Sequence, residues 1–99
     1  MSDNEIDRLF SNVRTFEWDD NKRRLNVLKH GIDFAEATQV FDDPKQYTYR
    51  SPQRSTETRY VSVGLCGGVL LAVVFTPRDT RLRIISARAA RRHERERYG

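Results

Sequence analysis

The sequence predicts one α+β domain: an antiparallel sheet of three to four strands, with two helices before it and one after it, all stacked on one side. Three observations lead there. Gly67 and Gly68 stand between an alternating run, residues 57–66, and a continuous apolar run, 69–76, and a glycine pair is what a two-residue hairpin turn demands, because both positions need positive φ. Residues 77–80 (PRDT) then lead to a further alternating run, 81–87, through a connection too short for a crossover, so this pair must be antiparallel too. Before residue 45 the apolar period is helical.

In chain order, Ile6, Leu9, Phe10 and Val13 recur at helical spacing and suggest a short helix, with a frayed tail as the alternative, in an N-terminal extension, residues 1–15, ahead of a body at 16–99. Phe16 and Trp18 share one face of a short strand. Asp19 or Asp20 caps a helix over 21–30, with Leu25 and Leu28 as its buried stripe and Lys22, Arg23 and Arg24 outside; Gly31 supplies the left-handed residue that stops it. Asp33 and Glu36 have capping-box spacing for a second helix, whose apolar face is Phe34, Ala37, Val40 and Phe41 and whose stop is Asp42-Asp43-Pro44. Residues 46–50 (QYTYR) alternate as a short edge strand, and 51–56 form a polar loop. Residues 69–76 are the central strand, with Val73 or Phe75 packed against Leu25, Leu28, Phe34, Val40 and Phe41. In the last strand Leu82, Ile84 and Ser86 face one way, and an arginine-rich helix follows.

Charge is unevenly placed. From Pro77 onward eight arginines face three acidic residues, a local excess of +5, whereas the first 76 residues carry −1; the whole chain has +4. A guanidinium block on one strand and one helix is what binding a polyanion such as RNA would use. The apolar run 69–75 needs burial but is far short of the ~20 residues that span a bilayer, so no membrane is expected. The acidic start lacks a basic segment followed by an apolar core, which makes the cytoplasm the expected location. Cys66, the single cysteine, excludes an internal disulfide and reads as a buried thiol.

Four dispersed motifs stand in order: FEWDDNK (16–22), the stretch from Asn26 through Lys29-His30-Gly31 to Phe34, VFDDP (40–44) and IISARAARRHERERY (84–98). With them the chain resembles the BrnT family of toxins from bacterial type II toxin–antitoxin modules, over roughly residues 16–98. The resemblance implies a compact RelE-like fold and a ribonuclease that cleaves RNA, inhibits translation and growth, and is neutralised by a small cognate antitoxin carrying a ribbon-helix-helix domain. Two toxin and two antitoxin chains are then expected around a two-fold axis, with promoter DNA bound only through the antitoxin.

Cleaving RNA without a metal needs a group that takes the 2′-hydroxyl proton, cations that hold the phosphorane charge, and a donor for the leaving oxygen. Arg88, Arg91, Arg92 and Arg95 lie three or four apart on one helix face and, with Arg83, are candidates for clamping phosphate: Arg88 and Arg92 for catalysis, Arg83, Arg91 and Arg95 for RNA binding. A solvated face laced by Arg92 with Glu96 and Glu94 with Arg97 accounts for the same residues. His30 and His93 are the only histidines; His30, in the Lys-His-Gly motif beside Lys29, is the candidate for proton transfer, and a cation on the helix terminus accounts for it as well. Glu94 is a candidate base or a salt-bridge partner. Tyr98 can donate a proton or stack on a base. Asp42 and Asp43 read as a helix stop, so neither metal nor cofactor is expected. The alternative function is a non-catalytic basic module whose arginines dock RNA or an acidic protein. The two readings part on whether Lys29, His30 and the last helix share one concavity.

Overall fold

A computed structural model describes residues 15–52 and 56–99. The helix expected around Ile6 to Val13 and part of the polar loop lie outside them. The elements are β1 (Phe16–Trp18), α1 (Asp20–His30), α2 (Phe34–Ala37) continuing as a 3-10 helix (Thr38–Asp42), β2 (Tyr47–Arg50), β3 (Tyr60–Cys66), β4 (Val69–Arg78), β5 (Arg81–Ala89) and α3 (Arg92–Tyr98). The strands form one five-stranded sheet in the order β1-β5-β4-β3-β2.

The sheet is mixed, which corrects the expectation of three to four antiparallel strands. The meander β2-β3-β4-β5 is antiparallel as predicted, but β1 joins its far edge in parallel with β5, from Phe16↔Leu82 to Trp18↔Ile84. Alternation in residues 16–18 marks a strand without naming its neighbour, and the helices between β1 and β5 give the chain the length that parallel pairing needs. Gly67 and Gly68 make the β3–β4 turn at φ 55 and 82. The β4–β5 turn is tighter than expected: both strands run on to Arg78 and Arg81, and Asp79 takes the left-handed conformation at φ 54.

A bulge in β5 decides which face each later residue meets. Phe75 pairs with Ile84 and Val74 with Ser86, so Ile85 has no opposite residue and the alternation shifts by one. Leu82, Ile84 and then Ala87 are buried in one core cluster, while Arg88 passes to the other face. A strict two-residue period, which groups Ser86 with Leu82 and Ile84, fails here.

Helices cover both faces, not one. On the first, Phe34, Ala37, Val40 and Phe41 of α2 and the 3-10 helix pack on Leu71, Val73, Phe75, Leu82, Ile84 and Ala87, with Phe41 edge-on to Phe75 at 5.4 Å. The second predicted helix is therefore present as a single α turn followed by a 3-10 stretch. Gly64 lets that stretch approach β3, because a Cβ there would stand 3.0 Å from the Val40 carbonyl oxygen. On the opposite face Ala90 and Tyr98 bring α3 onto Val61, Val63 and Ala72, flanked by Tyr47, Tyr49, Leu70 and Val74.

Helix α1 begins and ends as predicted. The Asp19 carboxylate accepts from the Lys22 amide at 3.0 Å, and Gly31, at φ 71, donates to the Val27 carbonyl. Its buried residue is not a leucine. Leu25 and Leu28 are 63% and 83% exposed, and Asn26 points inward instead. The Asn26 amide donates to the Ala87 carbonyl at 2.8 Å and accepts from the Ala87 amide at 3.1 Å, as a neighbouring strand would, and its second N–H reaches the Ile32 carbonyl. So α1 lies along the edge of β5 beyond the end of β1, where its leucines meet solvent. No helix among the described residues is long and apolar enough to cross a membrane.

Candidate active site: an arginine-rimmed cleft beside the last helix

Where α3 stops short of covering the sheet, a cleft of about 180 Å³ opens, lined by Tyr49, Ser51, Pro52, Val61, Val74, Arg88, Arg91 and His93. Its wall is organised by Glu94, the third residue of α3 and fully buried. Three donors converge on this carboxylate. Arg88 forks onto it, Nη1 to Oε1 at 2.6 Å and Nη2 to Oε2 at 3.0 Å; the Tyr49 hydroxyl donates to Oε2 at 2.6 Å; and the Arg91 amide donates to Oε1 at 2.7 Å, closing a capping box. Burial alone would raise the Glu94 carboxyl, but the Arg88 fork, the Tyr49 hydroxyl and the Arg91 amide outweigh it and hold the group at about 2. The Tyr49 phenol is pushed up, by burial and then by the charge it donates to.

The helix bearing these groups is fastened along its length. Tyr47 donates to the Glu94 backbone carbonyl at 2.8 Å, Arg97 lies over the Tyr47 ring at 4.6 Å, and Tyr98 donates to the Asp43 carboxylate. Burial, with the nearby Glu94 and Tyr49, raises Tyr47 to about 12; the bond to Asp43 is the first cause that does the same to Tyr98.

Of the residues the sequence suggested, Arg88, Arg91 and Glu94 meet at this cleft. Arg92 points into solvent and pairs with Glu96 at 3.0 Å, as the solvated-face reading has it, but Glu94 is paired with Arg88 and not with Arg97. Arg95 donates to the Ala90 carbonyl, and Arg83 pairs with Glu17 at 2.7 Å. Lys29 and His30 line a separate, shallower cleft of about 250 Å³ with Lys22, Leu25, Asn26, Ile85 and Ser86, which shares no lining residue with the first. Sequence reasoning missed Tyr49 and His93. Tyr47 and Tyr49, alternating on one face of an edge strand, were the signal for the former; for His93 it was a histidine inside the basic block. His93 is exposed at the rim, edge-on to Tyr49 with centroids 6.4 Å apart. Cys66 is half-buried, and its thiol, raised by burial and by Glu36, donates to the Glu36 carbonyl. Among the described residues no group of three or more His, Cys, Asp or Glu is placed to hold a metal ion.

A small α+β protein with a cationic cleft beside its last helix is equipped to hold an anionic ligand. The family model described as ribonuclease toxin, BrnT, of type II toxin–antitoxin system matches residues 18–94, and the chain belongs to that family. It is thus a ribonuclease toxin by family, and such a toxin has a cognate antitoxin. No curated protein matches the chain.

Proposed function

We propose that the protein is a metal-independent endoribonuclease whose active site is the cleft formed by Tyr49, Arg88, Arg91, His93 and Glu94. The observation that carries this reading is the buried Glu94 carboxylate, which fixes a guanidinium and a phenol at once on the wall of the cleft. In the reaction the RNA 2′-oxygen forms a bond to the adjacent phosphorus while the bond from phosphorus to the 5′-oxygen breaks, giving a 2′,3′-cyclic phosphate and a 5′-hydroxyl end. His93 takes the 2′ proton, and water at the open mouth protonates the leaving oxygen. Arg88 and Arg91 hold the charge that builds on the phosphoryl oxygens, the part a metal ion would otherwise take. Glu94 is a positioning residue: a carboxylate held at about 2 by three donors is too weak a base to remove a hydroxyl proton. Lys29 and His30, in their own cleft, are left a role in binding at most.

Loss of cytoplasmic RNA would halt translation and growth, and the antitoxin, expected to carry a ribbon-helix-helix domain and to form a complex of two toxin and two antitoxin chains, would silence the toxin by covering this basic cleft. The deciding assay follows purified protein on RNA with and without EDTA. Cleavage to cyclic phosphate ends in both conditions is the expected result; loss of all cleavage with chelator overturns the metal-free mechanism. Intact RNA in both conditions, with tight binding, would favour a non-catalytic basic module.

A further inference from the structure

We propose that the floor of this cleft receives one unpaired nucleobase beside the cleaved phosphodiester, so that the substrate is single-stranded RNA; this rests on the ribonuclease reading and specifies its substrate. The cleft has two zones of different chemistry. Its rim carries the guanidinium groups of Arg88 and Arg91, with the His93 imidazole beside them, whereas its floor and near wall are apolar: Val61, Val74, the Tyr49 ring and Pro52. A phosphate alone has no use for the second zone. A nucleotide matches both, with its phosphate at the rim and its base below.

Size and rigidity point the same way. The volume of about 180 Å³ lies below the ~300 Å³ at which pockets for drug-sized ligands begin, and so suits a single planar ring system. Tyr49, Val61 and Val74 are also a register row, Tyr49 opposite Val61 and Val61 opposite Val74, so the surface runs straight across three strands. Tyr49 cannot swing away, because its hydroxyl is tied to Glu94 and Tyr47 stacks beside it at 6.3 Å. A preset aromatic wall over an apolar floor accepts a base by stacking and contact, with no need to read its edge. In an A-form duplex the bases are paired and stacked inside, and none can reach such a floor.

The test compares nucleoside 3′-monophosphates with inorganic phosphate by calorimetry on the full chain, and an RNA oligomer with the same oligomer annealed to its complement. A nucleotide should bind about tenfold more tightly than phosphate, as one base stacked on an aromatic ring implies. Val74→Phe, which fills the floor from a half-buried position, should abolish that preference while phosphate binding stays; Val74→Leu should reduce it in part and serves if the larger variant does not fold. Single strands should be cut and duplex spared. Equal affinity for nucleotide and phosphate, a preference untouched in a folded Val74 variant, or equal cleavage of duplex overturns the proposal. Base-dependent binding without cleavage of any RNA would sink the ribonuclease reading and still support the base pocket.

Discussion

Arg88 holds Glu94 with both ends of its guanidinium, at 2.6 and 3.0 Å, and thereby ties the last strand to the helix that follows it. The pair is nearly dry: the Arg88 side chain is 14% exposed and that of Glu94 is not exposed. Glu94→Ala leaves the guanidinium without its partner and should cost about 3–5 kcal/mol, whereas replacing both residues by apolar ones of similar volume should cost clearly less. Chemical denaturation of the two single variants and the double variant measures the difference. Additive losses would mean that the pair is not coupled.

Stability should fall at both ends of the pH range. The Glu94 carboxyl is lowered from 4.5 to about 2 in the fold, so its contribution is complete above about 4.5 and is lost as pH falls toward 2. The loss is on the order of 3 kcal/mol. Tyr47 is raised from 10.0 to about 12, so its contribution is complete below 10 and disappears as pH rises through 12. Denaturation midpoints against pH should show both arms. Glu94→Gln should make the acid arm shallower, leaving the part due to the lowered Asp43, and Tyr47→Phe should do the same to the alkaline arm, leaving the part due to the raised Tyr49 and Tyr98.

The two histidines separate cleanly in an activity assay. His93→Ala should lower the rate of RNA cleavage by about 10²-fold or more, the usual contribution of a proton-transfer group. His30→Ala, in the other cleft, should change it by no more than about threefold, within what loss of one surface charge does. The reverse order would move the active site to the cleft of Lys29 and Lys22.

Neighbouring arginines should also differ. Arg91 lines the cleft and Arg92 points away from it, paired with Glu96 and 87% exposed. Arg91→Ala should therefore reduce cleavage by about tenfold or more, while Arg92→Ala, like changes at Arg23 or Arg24, should have little effect. Similar losses at all four positions would indicate diffuse electrostatic attraction.

Asn26→Ala should leave the Ala87 amide and carbonyl buried without partners, at a cost of about 2–4 kcal/mol. Thermal unfolding measures this. A much larger effect than that of Leu28→Ala, whose side chain is already in water, is expected even though leucine is the more apolar residue.

The parts of the fold that were legible are those with local causes. The Gly67-Gly68 turn, the Asp19 and Asp33 caps and the Gly31 stop each follow from a few adjacent residues, and each is where the sequence placed it. What failed depends on distant partners. Leu25 and Leu28 have the right spacing for a buried stripe, but the inward position belongs to Asn26, whose partner is 61 residues away. The extra residue at Ile85 moves Arg88 from the core face to the cleft, and no count of apolar residues reveals it, since Ile85 is as apolar as its neighbours. The basic block contains Arg88 and Arg91, which line the cleft, but density alone did not separate them from Arg83, Arg92 and Arg95, which are held by Glu17, Glu96 and the Ala90 carbonyl; Tyr49 was hidden, since a strand tyrosine has many uses.

The bidentate bond between Asn26 and Ala87 also settles how the sheet ends. A strand whose outer N–H and C=O groups stay open is a template on which another chain can add, and β1, three residues long, covers only the first part of β5. Beyond Trp18 the ladder is closed by one side-chain amide and shielded by the helix that carries it. Along this stretch one asparagine side chain thus stands where the backbone of a further strand would pair.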